Sequence, residues 1–382
     1  MAKIIQLHIF QLLIITTIFS QPDDYTLAKH FLESNGQNPA QYLVDRFGKN
    51  DVVLLAEDHG IKQNLDFVVQ LIPILYENGV YCIGMEFGAK EMQKKLDSLA
   101  SSESYDENLA REMMFFYNAG WAYKEYMDIY RAVWIFNSML DEGEKKFRVL
   151  NLSYQYNWEE FRGKTRTPEM MKKVFWMGTP DKFRAEIIEK EIFTKNEKIL
   201  VLAGLPHTFT KFRPCSLNFN NDNFCQYDNN WLGNRLYDKY KDKVATVVLH
   251  RPFWNYPNRR SSLISPANGV VEQLMNANDN EPVGFDLGNS PIGKLPDNSI
   301  HSLGYENFTI GQIADGYIFL VPIKEMTGCS IDYKFFADKK WETIKTSIPD
   351  PDWRGDINSI EGFWKQIEEF VDLEKRYKEL EN

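Results

Sequence analysis

Beyond its first twenty residues the chain has no apolar run long enough to span a bilayer, which excludes a polytopic membrane protein. It has no Lys/Arg block, and its formal net charge is -10. An acidic surface repels phosphate backbones, so nucleic acid is not an expected partner. There is no internal repeat and no low-complexity tract, which excludes solenoids and extended disorder. Cysteine is scarce, with 4 in 382 residues, and no CxxC or CxxCH run occurs. A dense disulfide framework, a zinc ribbon and covalent c-type haem attachment are thereby excluded. What is present is a composition 43% hydrophobic and 14% aromatic, enough for a sizeable core.

The first twenty residues are different. Lys3 precedes an apolar run from Ile4 to Phe19, and Ser20-Gln21 then leads into Pro22-Asp23-Asp24. That order predicts a secretory signal peptide over 1–20, and hence an exported protein without a membrane span after cleavage. Cys215 and Cys225, ten positions apart in an Asn-rich loop, can close a small staple if their Cα atoms approach within about 6 Å. Cys82 lies within an apolar run and is expected to be buried.

Hydrophobic periodicity predicts alternating strands and helices. Val52-Val53-Leu54-Leu55, Val80 to Met85, Phe147 to Leu150, Lys198 to Ala203 and Val244 to Leu249 read as strands. Leu65, Val68, Val69, Ile72 and Leu75 recur at helical spacing between the first two. Strands apolar throughout are buried on both faces, as in a parallel sheet. The expected fold is therefore α/β, a mostly parallel central sheet with helices on both faces. It forms a single domain over 21–345 with insertions, and a C-terminal helical extension over 346–382 packs on it. The helix from Ile360 to Leu380 carries Phe363, Trp364, Ile367, Phe370 and Val371 on one face, which reads as packing.

Polar residues recur at the strands' carboxyl ends: Glu57 and His59 after the first, Glu86 after the second, Asn151 and Ser153 after the third, His207 after the fourth, His250 after the fifth, and Asp286 after a later one. In open α/β sheets that edge is where ligands bind. Two carboxylates and two imidazoles there can hold a divalent metal such as Zn or Mn through Glu57, His59, Glu86 and His207. They can equally position a water and its base. Each residue also has a plainer reading. Glu57 can cap a helix, Asp286 can form a turn, and Arg251 can pair with an acid. Tyr154, Tyr156 and Trp158 fit core packing as well as a pocket wall. Arg184 and Glu186 lie i,i+2 on a helix, so only one can face the crevice, and Arg184 is the better candidate.

Val52 to His59, Met85-Glu86-Phe87 and Leu200 to His207 together resemble the signature segments of the erythromycin-esterase-like, haem-uptake (ChaN-like) and Tiki/TraB superfamily. The segment 121–137 and the Arg184–Glu186 helix are similar to further parts of that pattern, and the resemblance spans roughly residues 45–325. Ala56 departs from it, standing where glycine is usual, so a tight turn there would have to keep αR or β dihedrals. The resemblance implies a site of Glu57, His59, Glu86, His207 and Arg184. It implies one of two activities. The first is hydrolysis of an ester, lactone or amide in a small-molecule or peptide substrate, with or without a divalent metal, with Arg184 or Arg251 stabilising developing charge. The alternative is haem or iron binding through an axial His or Tyr.

Overall fold

A computed structural model of the chain describes residues 23–378 and 380–381, except 116–118, 162–165, 256–261 and 349–354. The expected signal peptide lies outside the described residues. The strands, in chain order, are β1 (Val52–Glu57), β2 (Cys82–Ala89), β3 (Arg148–Ser153), β4 (Ile199–Gly204), β5 (Cys215–Leu217) and β6 (Cys225–Tyr227). They continue with β7 (Val244–Leu249), β8 (Phe253–Trp254), β9 (Leu263–Ile264), β10 (Val283–Asp286), β11 (Gly316–Phe319) and β12 (Leu380–Glu381). Seven of them form the central sheet in the order β10-β11-β7-β1-β4-β2-β3. All its pairings are parallel except β10 with β11.

Alternation along β1 places the helices on both faces. Val53 and Leu55 join Leu200, Leu202, Ile83 and Met85 in a core completed by the helices Lys62–Glu77 and Lys124–Ser138. Val52 and Leu54 point the other way, onto Phe183, Ile187 and Ile188 of the helix Pro180–Glu191 and onto Leu232 and Leu236. Such two-sided burial requires strands apolar at every position. β1, β4 and β7 are accordingly buried throughout. Ala56 is a fully buried member of β1, paired in register with Ala203, so the alanine needs no turn. The left-handed residue of this loop is Gly60, at φ +84°.

Two inserted features complete the frame. The antiparallel pair β5 and β6 is stapled by a Cys215–Cys225 disulfide, with Cα atoms 5.5 Å apart. From the C-terminal segment, Phe363 and Ile367 of the helix Ile360–Val371 enter the same core as Val53 and Leu55. No helix among the described residues is long and apolar enough to cross a membrane.

Candidate functional site

β1, β4 and β2 are adjacent, and their carboxyl ends sit nearly level. Glu57 pairs in register with Gly204, and Glu86 follows Met85, which pairs with Leu202. This brings Glu57, His59, Glu86 and His207 to one sheet edge. Gly204 forms the floor between them. A Cβ there would stand 2.8 Å from His59 Nε2, so only glycine leaves room for the ring.

Glu57 is 1% exposed. Its Oε1 lies 3.0 Å from His59 Nδ1 and accepts from the Tyr126 hydroxyl, also at 3.0 Å. Its Oε2 is buried without a hydrogen-bond partner. Burial pushes the Glu57 carboxyl up, against the opposing pull of His59 and Tyr126. The His59 ring packs on Phe87 and Trp121, with centroids 4.9 and 4.8 Å away. Burial works against the His59 imidazolium, but Glu57, Glu86 and Asp58 outweigh it and raise its pKa above the ordinary value. Its Nε2 faces Glu86 Oε2 at 3.7 Å, beyond hydrogen-bond length, and the side chain keeps 18% exposure. That nitrogen is the ring atom left available for chemistry.

Glu86 is held far more tightly. Its Oε1 accepts from Arg184 Nη2 at 3.2 Å and lies 3.1 Å from His207 Nε2, while its Oε2 accepts the Gly204 N–H at 2.8 Å. Burial favours the neutral acid, yet His207 and Arg184 hold the Glu86 carboxyl well below the usual range. Arg184 Nη1 donates to Asp181 Oδ1 at 2.8 Å, and Nη2 also reaches Ser153 Oγ at 3.3 Å. His207 Nδ1 lies 2.9 Å from Asp181 Oδ2. Burial disfavours the His207 cation, but Glu86 and Asp181 overcome this and raise its pKa to about 9. This favours the His207 imidazolium, whose ring nitrogens each face a carboxylate, although Arg184 Nη1 also stands 3.1 Å from Nδ1 and pulls the other way.

This arrangement bears on the expected metal set. One ion would need all four side chains directed at a shared point about 2 Å from each ligand atom. Here both His207 nitrogens face carboxylates, and the Arg184 guanidinium fills the cationic position beside Glu86. Among the described residues no group of three or more His, Cys, Asp or Glu has the geometry to hold a metal. Glu57, His59, Glu86 and His207 thus do not fit as ligands of a single ion. Of the two site histidines, His59 is the one whose ring keeps a nitrogen, Nε2, outside hydrogen-bond reach of a carboxylate, as ligation of a haem iron would require.

Other expected members fall elsewhere. His250 is buried between the Tyr317 hydroxyl at 2.6 Å and Glu272 at 2.8 Å, a closed structural network. Asp286 ends a strand antiparallel to its neighbour, so it lies at the opposite sheet edge, where it meets Arg46 and Tyr42. Asn151 is fully buried and accepts from the Tyr130 hydroxyl. Arg184 is buried while Glu186 faces solvent beside Lys182. The Arg184 and Arg251 terminal nitrogens serve internal carboxylates and carbonyls rather than a developing oxyanion. Tyr154 is core, packed on Phe183 at 4.6 Å.

Sequence reading missed Asp181 and Tyr126. Asp181 precedes Arg184 by three positions, a spacing that puts both on one helix face. Tyr126 comes from the helix Lys124–Ser138, and nothing local in the sequence marks it.

Family profiles give no match to this sequence, and curated proteins give none either. Solved structures do. A succinoglycan biosynthesis protein is similar over 81% of this chain and 98% of its own, at 11% identity and a TM-score of 0.52. A protein from Bacillus cereus is similar over 81% and 100%, at 10% identity and a TM-score of 0.50. These likenesses show the fold, a mostly parallel α/β sheet with helices on both faces, as the sequence pattern predicts. An erythromycin esterase variant in an open conformation is similar over 72% of this chain and 91% of its own, at 13% identity and a TM-score of 0.45.

Proposed function

We propose that this protein is an exported hydrolase that cleaves an ester, lactone or amide bond in a small-molecule or peptide substrate, with His59 as general base. The observation that carries this reading is the Glu57–His59 pair. A buried carboxylate fixes Nδ1 at 3.0 Å and leaves Nε2, at a partly exposed edge, outside hydrogen-bond range of any carboxylate. In this tautomer Nδ1–H donates to Glu57, and Nε2 is free to take a proton from water. The water oxygen attacks the substrate carbonyl carbon as its proton moves to Nε2. Breakdown of the tetrahedral adduct returns that proton to the leaving alkoxide or amine. His207, 24% exposed and with both ring nitrogens committed to Glu86 and Asp181, keeps its charge within the frame beside the base. Glu86, Arg184 and Asp181 hold that charge in place and do not touch the reacting atoms. The N-terminal segment supports export by its residue order.

The test is hydrolysis of a panel of p-nitrophenyl esters, lactones and peptide amides by the purified protein and by His59→Ala. Turnover is expected in the wild type, surviving exhaustive chelation, and lost in the variant. Turnover retained by His59→Ala would sink the assignment. So would a wild type that cleaves nothing in the panel and shows a strong Soret band after mixing with haem.

A further inference from the structure

Asp58 lies between Glu57 and His59 in the chain, and the proposed reaction makes no use of it. It is buried, at 6% exposure, and takes donors from three residues. Arg376 Nη2 reaches both of its oxygens, at 2.7 and 2.8 Å. The Tyr377 hydroxyl donates to Oδ2 at 2.6 Å, and Arg251 Nη2 lies 3.1 Å from Oδ1. The same two arginines also grip the backbone on either side. Arg251 Nη1 donates to the Glu57 carbonyl at 3.1 Å, and Arg376 Nη1 to the His59 carbonyl at 3.3 Å. A second contact comes from the same C-terminal segment. A Cβ on Gly60 would stand 3.1 Å from Val371 and 3.2 Å from Phe370, so those side chains press directly on the loop. The Phe370 ring abuts Trp121 at 4.9 Å, and Trp121 abuts His59 at 4.8 Å.

We infer that the C-terminal segment 370–377 is a clamp on the His59 loop, and that Arg376 and Tyr377 are positioning residues acting through Asp58. A helix that only closed the core would place apolar side chains inward, as Phe363 and Ile367 do. It would not divide a guanidinium between the Asp58 carboxylate and the His59 carbonyl. The clamp fixes the backbone on both sides of Asp58, and so the approach of His59 Nδ1 to Glu57. Its consequence for turnover rests on the hydrolase reading; its consequence for the loop does not.

The experiment compares amide hydrogen exchange of residues 58–61 in wild type, Arg376→Ala, Arg376→Lys and Lys375→Ala. Lys375 is exposed and pairs with Glu369 on the same segment, so its variant is the control. Removing one partner of a buried pair is expected to speed exchange of 58–61 about tenfold in Arg376→Ala, with 199–204 unchanged. An intermediate rise is expected for lysine, which keeps the charge but not the fork. No rise, or a rise spread evenly over the sheet, would overturn the clamp. If Arg376→Ala does not fold, Tyr377→Phe decides by the same criterion, with a smaller local rise expected. On p-nitrophenyl acetate, kcat should fall in the folded Arg376 variants with KM unchanged, and stay at the wild-type value in Lys375→Ala. A local exchange effect in a protein that hydrolyses no ester would leave the clamp standing and remove the hydrolase.

Discussion

The two sides of the crevice are built on opposite plans. On one, Glu86, Arg184, Asp181 and His207 bind one another through charge-assisted contacts of 2.8 to 3.2 Å, with both carboxylates and both His207 nitrogens engaged and Arg184 Nε left without a partner. On the other, Glu57 has one oxygen shared by His59 and Tyr126 and one with no partner, and His59 Nε2 is 3.7 Å from the nearest carboxylate. Such a network is a fixed field, because its carboxylates and imidazole are already paired and a guanidinium does not release its protons. A carboxylate–imidazole pair with one ring nitrogen to spare can exchange a proton with whatever enters. For the hydrolase proposed above, the difference argues for chemistry on the β1 side and electrostatic framing on the β2 and β4 side.

The sharpest way to break that contrast is to remove the base. His59→Ala should lower turnover by about 10² to 10⁴-fold, the span of general-base catalysis, with an unchanged circular dichroism spectrum. Next comes stability. Arg184→Met removes the cation from between Glu86 and Asp181 and should cost about 3–5 kcal/mol in urea unfolding, the usual penalty for orphaning a buried partner. Glu57→Gln keeps an acceptor for Tyr126 and should cost about 1 kcal/mol. Equal penalties for the two variants would erase the distinction between the sides.

A smaller effect follows from proton linkage. His207 has its pKa raised from 6.5 to about 9 in the folded state. A group raised on folding stabilises fully below its unfolded pKa, and that contribution fades as pH climbs through the folded one. The urea midpoint should therefore hold near pH 6 and fall between pH 6.5 and 9, by about 1–3 kcal/mol for this one group. Glu86 acts in the reverse sense: its depressed pKa gives stability above the ordinary 4.5 that is lost as pH falls. His207→Gln should flatten the alkaline limb and also weaken the acidic one, because His207 is the foremost cause of the depressed Glu86 pKa. Turnover should rise with pH above 6.5, because His59, also raised, must lose its proton to act.

The sheet was legible because its strands are apolar at every position, and that signal is local. Val52 to Leu55 and Val244 to Leu249 stand out without reference to anything distant, and so do the polar residues that end them. The partners of those residues were not legible, because each is brought in by tertiary packing. Tyr126 arrives from a helix 69 positions after Glu57, and Arg376 from 318 positions after Asp58. The C-terminal helix read as packing for the same reason. Its apolar face is visible in the sequence, but the forked guanidinium just beyond it has meaning only beside Asp58. The metal expectation counted ligand types and did not weigh against an ion the charge of Arg184, a buried residue that lies 3.2 Å from Glu86.

Tyr126→Phe should have the smallest effect and tests the finest point. The hydroxyl donates to Glu57 Oε1, the same oxygen that holds His59 Nδ1, and lies 3.4 Å from that nitrogen. Burial and the neighbouring Glu57 push the Tyr126 pKa well above its ordinary value, so the hydroxyl stays protonated and donates to Glu57. Removing it takes one of two donors from an oxygen of a carboxyl group already short of partners, at a cost of about 1 kcal/mol. It also leaves His59 as the sole stabiliser of the Glu57 anion, so the pair should tighten. Turnover is expected to fall less than tenfold, with its alkaline rise displaced to higher pH. A drop as large as that of His59→Ala would make Tyr126 part of the proton path and move the reacting atom from Nε2 toward the Glu57 side of the ring.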